Sequence, residues 1–222
     1  MSKPDSARRP AAIQDAFDAL VAALRSRLHQ GSEIPIDACE RFVQRLGGLS
    51  GTPIVRAYPA DSGPPLPILA QLPAALGVAR DAVPDLADPL EAMLPALNWT
   101  QNPNYRRHPP SVDFLGRYGY AQFAGPSNIP TLAASGELAL GVLLLAPGTV
   151  YPAHAHPAEE VYLPLAPARW QRGEEGWRDR RAGDLVHHPS GMVHATQAGE
   201  APLLALYLWL GDLETAARIV GA

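Results

Sequence analysis

The chain has 222 residues, 47% of them hydrophobic, and a formal net charge of −4. That length allows one large or two small domains, and the mild charge gives no basis for binding nucleic acid or an anionic membrane. The single cysteine, Cys39, excludes an internal disulfide framework and reads as a small core residue. No stretch approaches the roughly 18 apolar residues of a membrane span. Gln14, Asp15 and Asp18 interrupt what would be a signal-peptide core, so a cytoplasmic protein is expected.

Residues 1 to about 10 are expected to be disordered. From Ala11, apolar residues recur at threes and fours (Ile13, Phe17, Leu20, Val21, Leu24, Leu28), which predicts an amphipathic helix stopped by Gly31. A second helix is predicted with Asp37 as its cap, Glu40 in the capping-box position and Gly47-Gly48 at its end. Its apolar side is Ala38, Phe42, Val43 and Leu46. The proline-rich stretch from Thr52 to Pro67 reads as an extended connection. Short helices follow at Ile68–Leu76 and Pro89–Leu97, the second capped by Asp88 with Pro89 in its first turn. This helical region is taken as residues 1–97, with a β-rich unit over 98–222.

Composition changes near Asn98. Trp99–Pro110 is polar and aromatic and reads as a connection rather than a pocket mouth, with His108 exposed. Strands are predicted at Tyr118–Phe123, Glu137–Leu145, Glu160–Leu165, around Trp170, Trp177–Arg180, Asp184–His188, Met192–Gln197 and Leu203–Leu210. Many short strands broken by Gly and Pro turns imply a closed or sandwiched antiparallel sheet. In the last strand, either the Tyr207/Trp209 face or the Leu206/Leu208/Leu210 face points inward. Asp212–Val220 reads as a short terminal helix.

Chemistry concentrates between Gly148 and His194. His154 and His156 are two apart and share a face if extended. Glu160 and Tyr162 repeat that spacing after a turn at Pro157. Two imidazoles, a carboxylate and a further imidazole at His194 form a mixed nitrogen–oxygen set suited to a divalent first-row metal. An isolated His-x-His is more often a polar strand face. Here the set falls in register with turn residues: Gly148, five residues, His154, one, His156, three, Glu160; then Gly183, five residues, Pro189, four, His194. This resembles the two signatures of the cupin barrels and implies a mainly β fold, a cupin (double-stranded β-helix, jelly-roll) barrel behind an α-helical N-terminal region. One departure is Pro167, where the first signature usually closes with Gly; it alters a turn and removes no ligand. The adjacent His187 and His188 face opposite ways on a strand and are read as supporting or surface residues.

Four ligands, His154, His156, Glu160 and His194, leave open positions on an octahedral ion, as catalysis requires. Zinc, iron, manganese, nickel and cobalt all suit such a set. Tyr162 shares the face of Glu160, and a nearby divalent cation favours a phenolate that can act as a general base. On spacing alone, a packing tyrosine that orients Glu160 is equally consistent. Tyr151, three residues before His154, could supply a second phenol, although packing is its stronger reading.

The combination Tyr151, His154, His156, Glu160, Tyr162 and His194 resembles that of the cupin-type dimethylsulfoniopropionate lyases, most strongly over residues 137–210. The resemblance implies that a metal binds the substrate carboxylate. Tyr162 would take the adjacent proton, with Tyr151 assisting or replacing it, and the carbon–sulfur bond would break to give dimethyl sulfide and acrylate. The departing sulfonium would be held by aromatic faces, with Trp170, Trp177, Tyr207 and Trp209 as candidates. A metal cupin acting on a sugar or small carboxylic acid, as an isomerase or dioxygenase, is the alternative. The expected partner is a small carboxylate or sulfonium substrate, with no nucleic acid and no membrane. The oligomeric state stays open, a homodimer among the options.

Overall fold

A computed structural model describes residues 8–31, 33–54 and 64–220. The segment expected to be disordered lies outside them as far as residue 7, and most of the Thr52–Pro67 connection does too. Helix α1 runs Arg8–Gln30 and buries Ile13, Phe17, Leu20, Val21, Leu24 and Leu28, the residues of its 3.6-residue stripe. Helix α2 (Ile36–Gly47) buries Ala38, Phe42, Val43 and Leu46. Its N-cap position is Pro35 and carries no side-chain cap, so the predicted capping box does not form. Asp37 lies inside the first turn and pairs instead with Arg41 at 2.7 Å, one turn on.

A 3-10 turn at Pro67–Gln71 leads into α3 (Leu72–Ala82), and α4 follows at Pro84–Met93. The predicted boundary at Asp88-Pro89 is therefore wrong. Pro84 takes the first helical position, where a missing N–H costs nothing, and Pro89 sits inside α4. The buried face of Leu86, Ala87, Leu90 and Met93 carries the helix past that lost hydrogen bond. A 3-10 turn at Leu94–Ala96 ends it at Pro95.

Helix α5 (Pro103–Arg107) occupies part of the stretch read as a plain connection, with the Asn102 side chain accepting the Asn104 N–H at 2.8 Å. The strands are β1 (Tyr118–Gly125), β2 (Thr131–Ala134), β3 (Ala139–Leu145), β4 (Val150–Ala155), β5 (Glu159–Pro164), β6 (Ala168–Arg172), β7 (Arg178–Arg180), β8 (Val186–His188), β9 (His194–Ala198), β10 (Leu203–Leu210) and β11 (Arg218–Ile219). They form two facing sheets, ordered β2-β1-β3-β10-β5-β8 and β11-β4-β9-β6-β7. This is a cupin-type jelly-roll, with the helices packed against its six-stranded sheet.

Side-chain alternation sorts that sheet into two faces. Leu140, Val142 and Leu144 of β3, Val161 and Leu163 of β5, and Leu204, Leu206, Leu208 and Leu210 of β10 join the helices in one continuous hydrophobic core. The opposite face of the same strands turns Leu143, Tyr162, Ala205 and Tyr207 toward the barrel interior. The open choice in β10 is thereby decided, with Tyr207 and Trp209 inward.

No helix forms at Asp212–Val220, contrary to expectation. The Asp212 carboxylate accepts the N–H groups of Glu214 and Thr215 and the Thr215 hydroxyl, and the Ala217 carbonyl accepts from Asn102 and Asn104. The last pairing is extended: Arg218 and Ile219 stand opposite Ala155 and His154 as β11. Among the described residues, no helix is long and apolar enough to cross a membrane.

Candidate metal centre

The leading glycine of each signature makes the turn that aims the ligands. Gly148 (φ 68°) precedes β4 and Gly183 (φ 87°) precedes β8, both in the left-handed region that a side chain strains. Gly191 (φ 73°) makes a third such turn, and its N–H donates to the His156 carbonyl at 3.0 Å, tying the two signatures together. Register completes the assembly: His154 stands opposite His194, while Glu160 stands opposite His188 on one side and Trp209 on the other.

The structure buries His154, His156, Glu160 and His194 and divides them between two overlapping trios: Glu160 with His188 and His194, and the three histidines His154, His156 and His194. Ring nitrogens of the three histidines lie within 4.8 Å of one another. His156 Nε2 and His194 Nε2 each lie 3.1 Å from Glu160 Oε2, the latter without hydrogen-bond geometry. Each of these imidazoles is oriented through its other nitrogen. His154 Nδ1 donates to the Pro152 carbonyl at 2.8 Å, His156 Nδ1 to Ala158 at 3.0 Å and His194 Nδ1 to Met192 at 2.9 Å. A carbonyl only accepts, so Nδ1 carries the proton and a neutral ring turns an Nε2 lone pair to the centre. This outer anchoring is the usual arrangement of metal-binding histidines.

The donor set therefore fits a cation. Two Nε2 atoms lie 3.1 Å from one carboxylate oxygen, an arrangement that positive charge between them, a proton or a metal ion, stabilises. Burial alone would raise the Glu160 carboxyl, but the imidazoles of His156, His188 and His194 packed against it hold it well below the usual carboxylate range. Burial and the neighbouring His194 hold the His154 imidazole well below its ordinary value. At neutral pH the site presents an anionic carboxylate and a neutral His154, ready to bind a metal.

A cavity of about 280 Å³ opens beside this cluster, with Glu160, Tyr162 and Tyr151 in its wall. That is near the lower end of the roughly 300–1,000 Å³ typical of small-molecule sites. Burial, then the charge of Glu160, pushes the Tyr162 phenol well above its ordinary value. Tyr151 is buried too; its ring stacks on His154 at 4.0 Å and its hydroxyl lies 3.1 Å from that of Tyr105.

Of the four aromatic residues considered for the cavity, Tyr207 and Trp209 line it and Trp170 and Trp177 do not. Trp170 packs behind Tyr162 at 5.6 Å, and Trp177 lies outside under Arg169. Trp209 also donates Nε1–H to Glu160 Oε1 at 2.6 Å and stacks on His156 at 4.1 Å.

Sequence reasoning missed several residues. Thr100, Gln101, Asn102 and Arg106 line the cavity, so the stretch read as a connection forms part of its wall. Tyr118 and Tyr120 of β1 also line it, and their two-residue spacing was an available signal; Tyr105, brought in by α5, had none. Of the two adjacent histidines read as supporting or surface residues, His188 takes the supporting place. It is 1% exposed and its Nδ1 lies 3.1 Å from Glu160 Oε2, whereas its neighbour His187 turns outward to Glu159 at 2.9 Å.

The sequence signature of the dimethylsulfoniopropionate lyases matches residues 57–205. Dimethylsulfoniopropionate lyase DddQ of Ruegeria pomeroyi is 49% identical over 112 residues, 47% of this chain and 51% of that protein, so that match spans about half of DddQ. A putative dimethylsulfoniopropionate lyase, DddL, of Cereibacter sphaeroides is 32% identical over 167 residues, 72% of this chain and 68% of its own. The crystal structure of DddQ from Ruegeria pomeroyi superposes with a TM-score of 0.63 at 27% identity, covering 93% of this chain and 96% of that one. With two thirds of its length inside the family signature, this chain belongs to the dimethylsulfoniopropionate lyase family.

Proposed function

We propose that this protein is a metal-dependent carbon–sulfur lyase that cleaves dimethylsulfoniopropionate to dimethyl sulfide and acrylate. One observation carries the reading: three carbonyl-anchored imidazoles and Glu160 converge beside a small cavity that has Tyr162 in its wall. His154, His156, Glu160 and His194 would hold a single divalent first-row ion. When bound, such an ion supplies Lewis acidity to the substrate carboxylate, acidifies the adjacent C–H and favours a nearby phenolate.

Tyr162 acts as the base. Its phenol, pushed up by burial and Glu160, is a weak acid without a cation, so its phenolate is strongly basic once formed. It takes the proton from the carbon next to the carboxylate. The electron pair left behind becomes the carbon–carbon double bond, and the β carbon–sulfur bond breaks toward sulfur. The thioether leaves neutral and needs no acid. Tyr162 then returns the proton to solvent. Tyr120, Tyr207 and Trp209 offer aromatic faces to the sulfonium. Tyr151 assists: its stacking on His154 and its hydroxyl contact with Tyr105 suit it to hold the site's shape.

The test is to incubate metal-loaded protein with dimethylsulfoniopropionate and measure dimethyl sulfide in the headspace. Release well above the metal-only control, abolished by chelation, is expected. No release would overturn the assignment, and turnover of a sugar or small acid in its place would favour a different metal-dependent reaction.

A further inference from the structure

Three imidazoles, those of His156, His188 and His194, lie 3.1 Å from Glu160 Oε2, and they are not equivalent. His154, His156 and His194 each spend an Nδ1–H on a backbone carbonyl. His188 places its Nδ1 3.1 Å from Glu160 Oε2 instead. An ionised carboxylate only accepts, so this nitrogen carries a proton and donates it. Trp209 donates to the other oxygen, Oε1, at 2.6 Å. The carboxylate is thus gripped at both oxygens by donors from β8 and β10, the two strands flanking β5. Both donors are its direct cross-strand neighbours.

The placement of His188 is tightly determined. Its ring lies nearly parallel to that of His194, 3.9 Å away with 13° between planes. Its Nε2 is buried with no hydrogen-bond partner among the described residues. A histidine serving only as packing would leave two polar atoms to be satisfied where an apolar ring would leave none. His188 also belongs, with Glu160 and His194, to a buried trio whose ligand atoms lie within 4.8 Å of one another, and within it Nδ1 is the atom that meets the carboxylate.

We infer that His188 is a positioning residue of the centre, holding the Glu160 carboxylate in the orientation that turns a lone pair toward a cation among His154, His156 and His194. The inference rests on the metal-centre reading above and adds a residue to it that is not itself a ligand. Loss of such an orienting hydrogen bond costs about 10–100-fold in metal affinity.

Two substitutions separate positioning from ligation and from packing. In His188→Asn the amide N–H falls near the place of Nδ1; in His188→Gln it falls near that of Nε2. Cobalt(II) affinity is measured by chelator competition, together with the visible d–d spectrum of the cobalt protein. His188→Gln is expected to weaken cobalt binding by about 10–100-fold and to shift the bands. His188→Asn should stay within a few-fold of the unaltered protein, with its spectrum retained. Unchanged affinity and spectrum in His188→Gln would overturn the inference. So would a loss in His188→Asn as large as in His188→Gln, which would make His188 a ligand or a packing residue. If the unaltered protein bound no cobalt, the metal-centre reading itself would fall, an outcome distinct from either.

Discussion

Tyr162 and Tyr151 share a cavity wall but keep different company. Tyr162 follows Glu160 by two residues on β5 and so stands beside the carboxylate. Tyr151 is stacked on His154 and faces the Tyr105 hydroxyl. Tyr162→Phe removes only the hydroxyl, so turnover is expected to fall by about 10²–10⁴-fold, the usual contribution of a general base. Metal content should stay near normal, because no ligand is lost; kinetics and elemental analysis on one preparation check both. Near-normal turnover in Tyr162→Phe would move the base to Tyr151. These residues were legible because spacing alone places them: His154, His156, Glu160 and Tyr162 follow a period of two interrupted by one turn. That His187 and His188 face opposite ways was legible from their adjacency; which of them faces inward was not. The strand that His188 ends reads Val186-His187-His188, and nothing in so short a pattern says which histidine points in. Only the register of β8 against β5, a contact between segments 28 residues apart, decides it.

At the scale of elements, β3 and β10 shape the cavity through one glycine. Gly141 stands opposite Tyr207, and a Cβ there would collide with the Tyr207 ring and the Ala121 carbonyl. The missing side chain lets the tyrosine lie across the strand. Gly141→Ala is therefore expected to displace Tyr207 and raise KM for the sulfonium substrate several-fold or more, with metal content unchanged. An unaltered KM would show that the ring has another place to go. The elements themselves were largely readable, because α1, α2 and the strands carry clear apolar periods. The misses have local causes. Asp37 was read as a cap, but the N-cap of α2 is Pro35, two residues earlier than that requires. The stretch after Asp212 has a helical look, yet Asp212 ties up the N–H groups of Glu214 and Thr215, and β4 offers an open edge to Arg218 and Ile219.

Across the whole molecule, the helices and the barrel share one apolar interior. Leu204, Leu206 and Leu208 of β10 sit in the same cluster as Phe17, Leu24 and Leu90. Leu206→Ala should cost about 2–5 kcal/mol, as for other fully buried leucines, and calorimetry should show one unfolding transition rather than two. Stability should also follow the buried centre with pH. Burial, aided by the neighbouring His194, lowers the His188 imidazole to about 3, against about 6.5 when unfolded, and His154 is lowered too. Below about pH 6.5 the unfolded chain takes up protons that the folded one refuses, so stability falls with acidification; Glu160, whose carboxyl is depressed, adds to the loss at lower pH. The Tm of chelator-treated protein should thus drop between about pH 7 and pH 5, and a flat or rising Tm would contradict this. The most direct test of the whole account is elemental analysis of the purified chain beside His194→Ala. One equivalent of a divalent first-row metal in the unaltered protein, largely lost in the variant, is predicted. Equal occupancy in both, or none in the unaltered protein, would mean that these imidazoles and Glu160 do not hold a cation together.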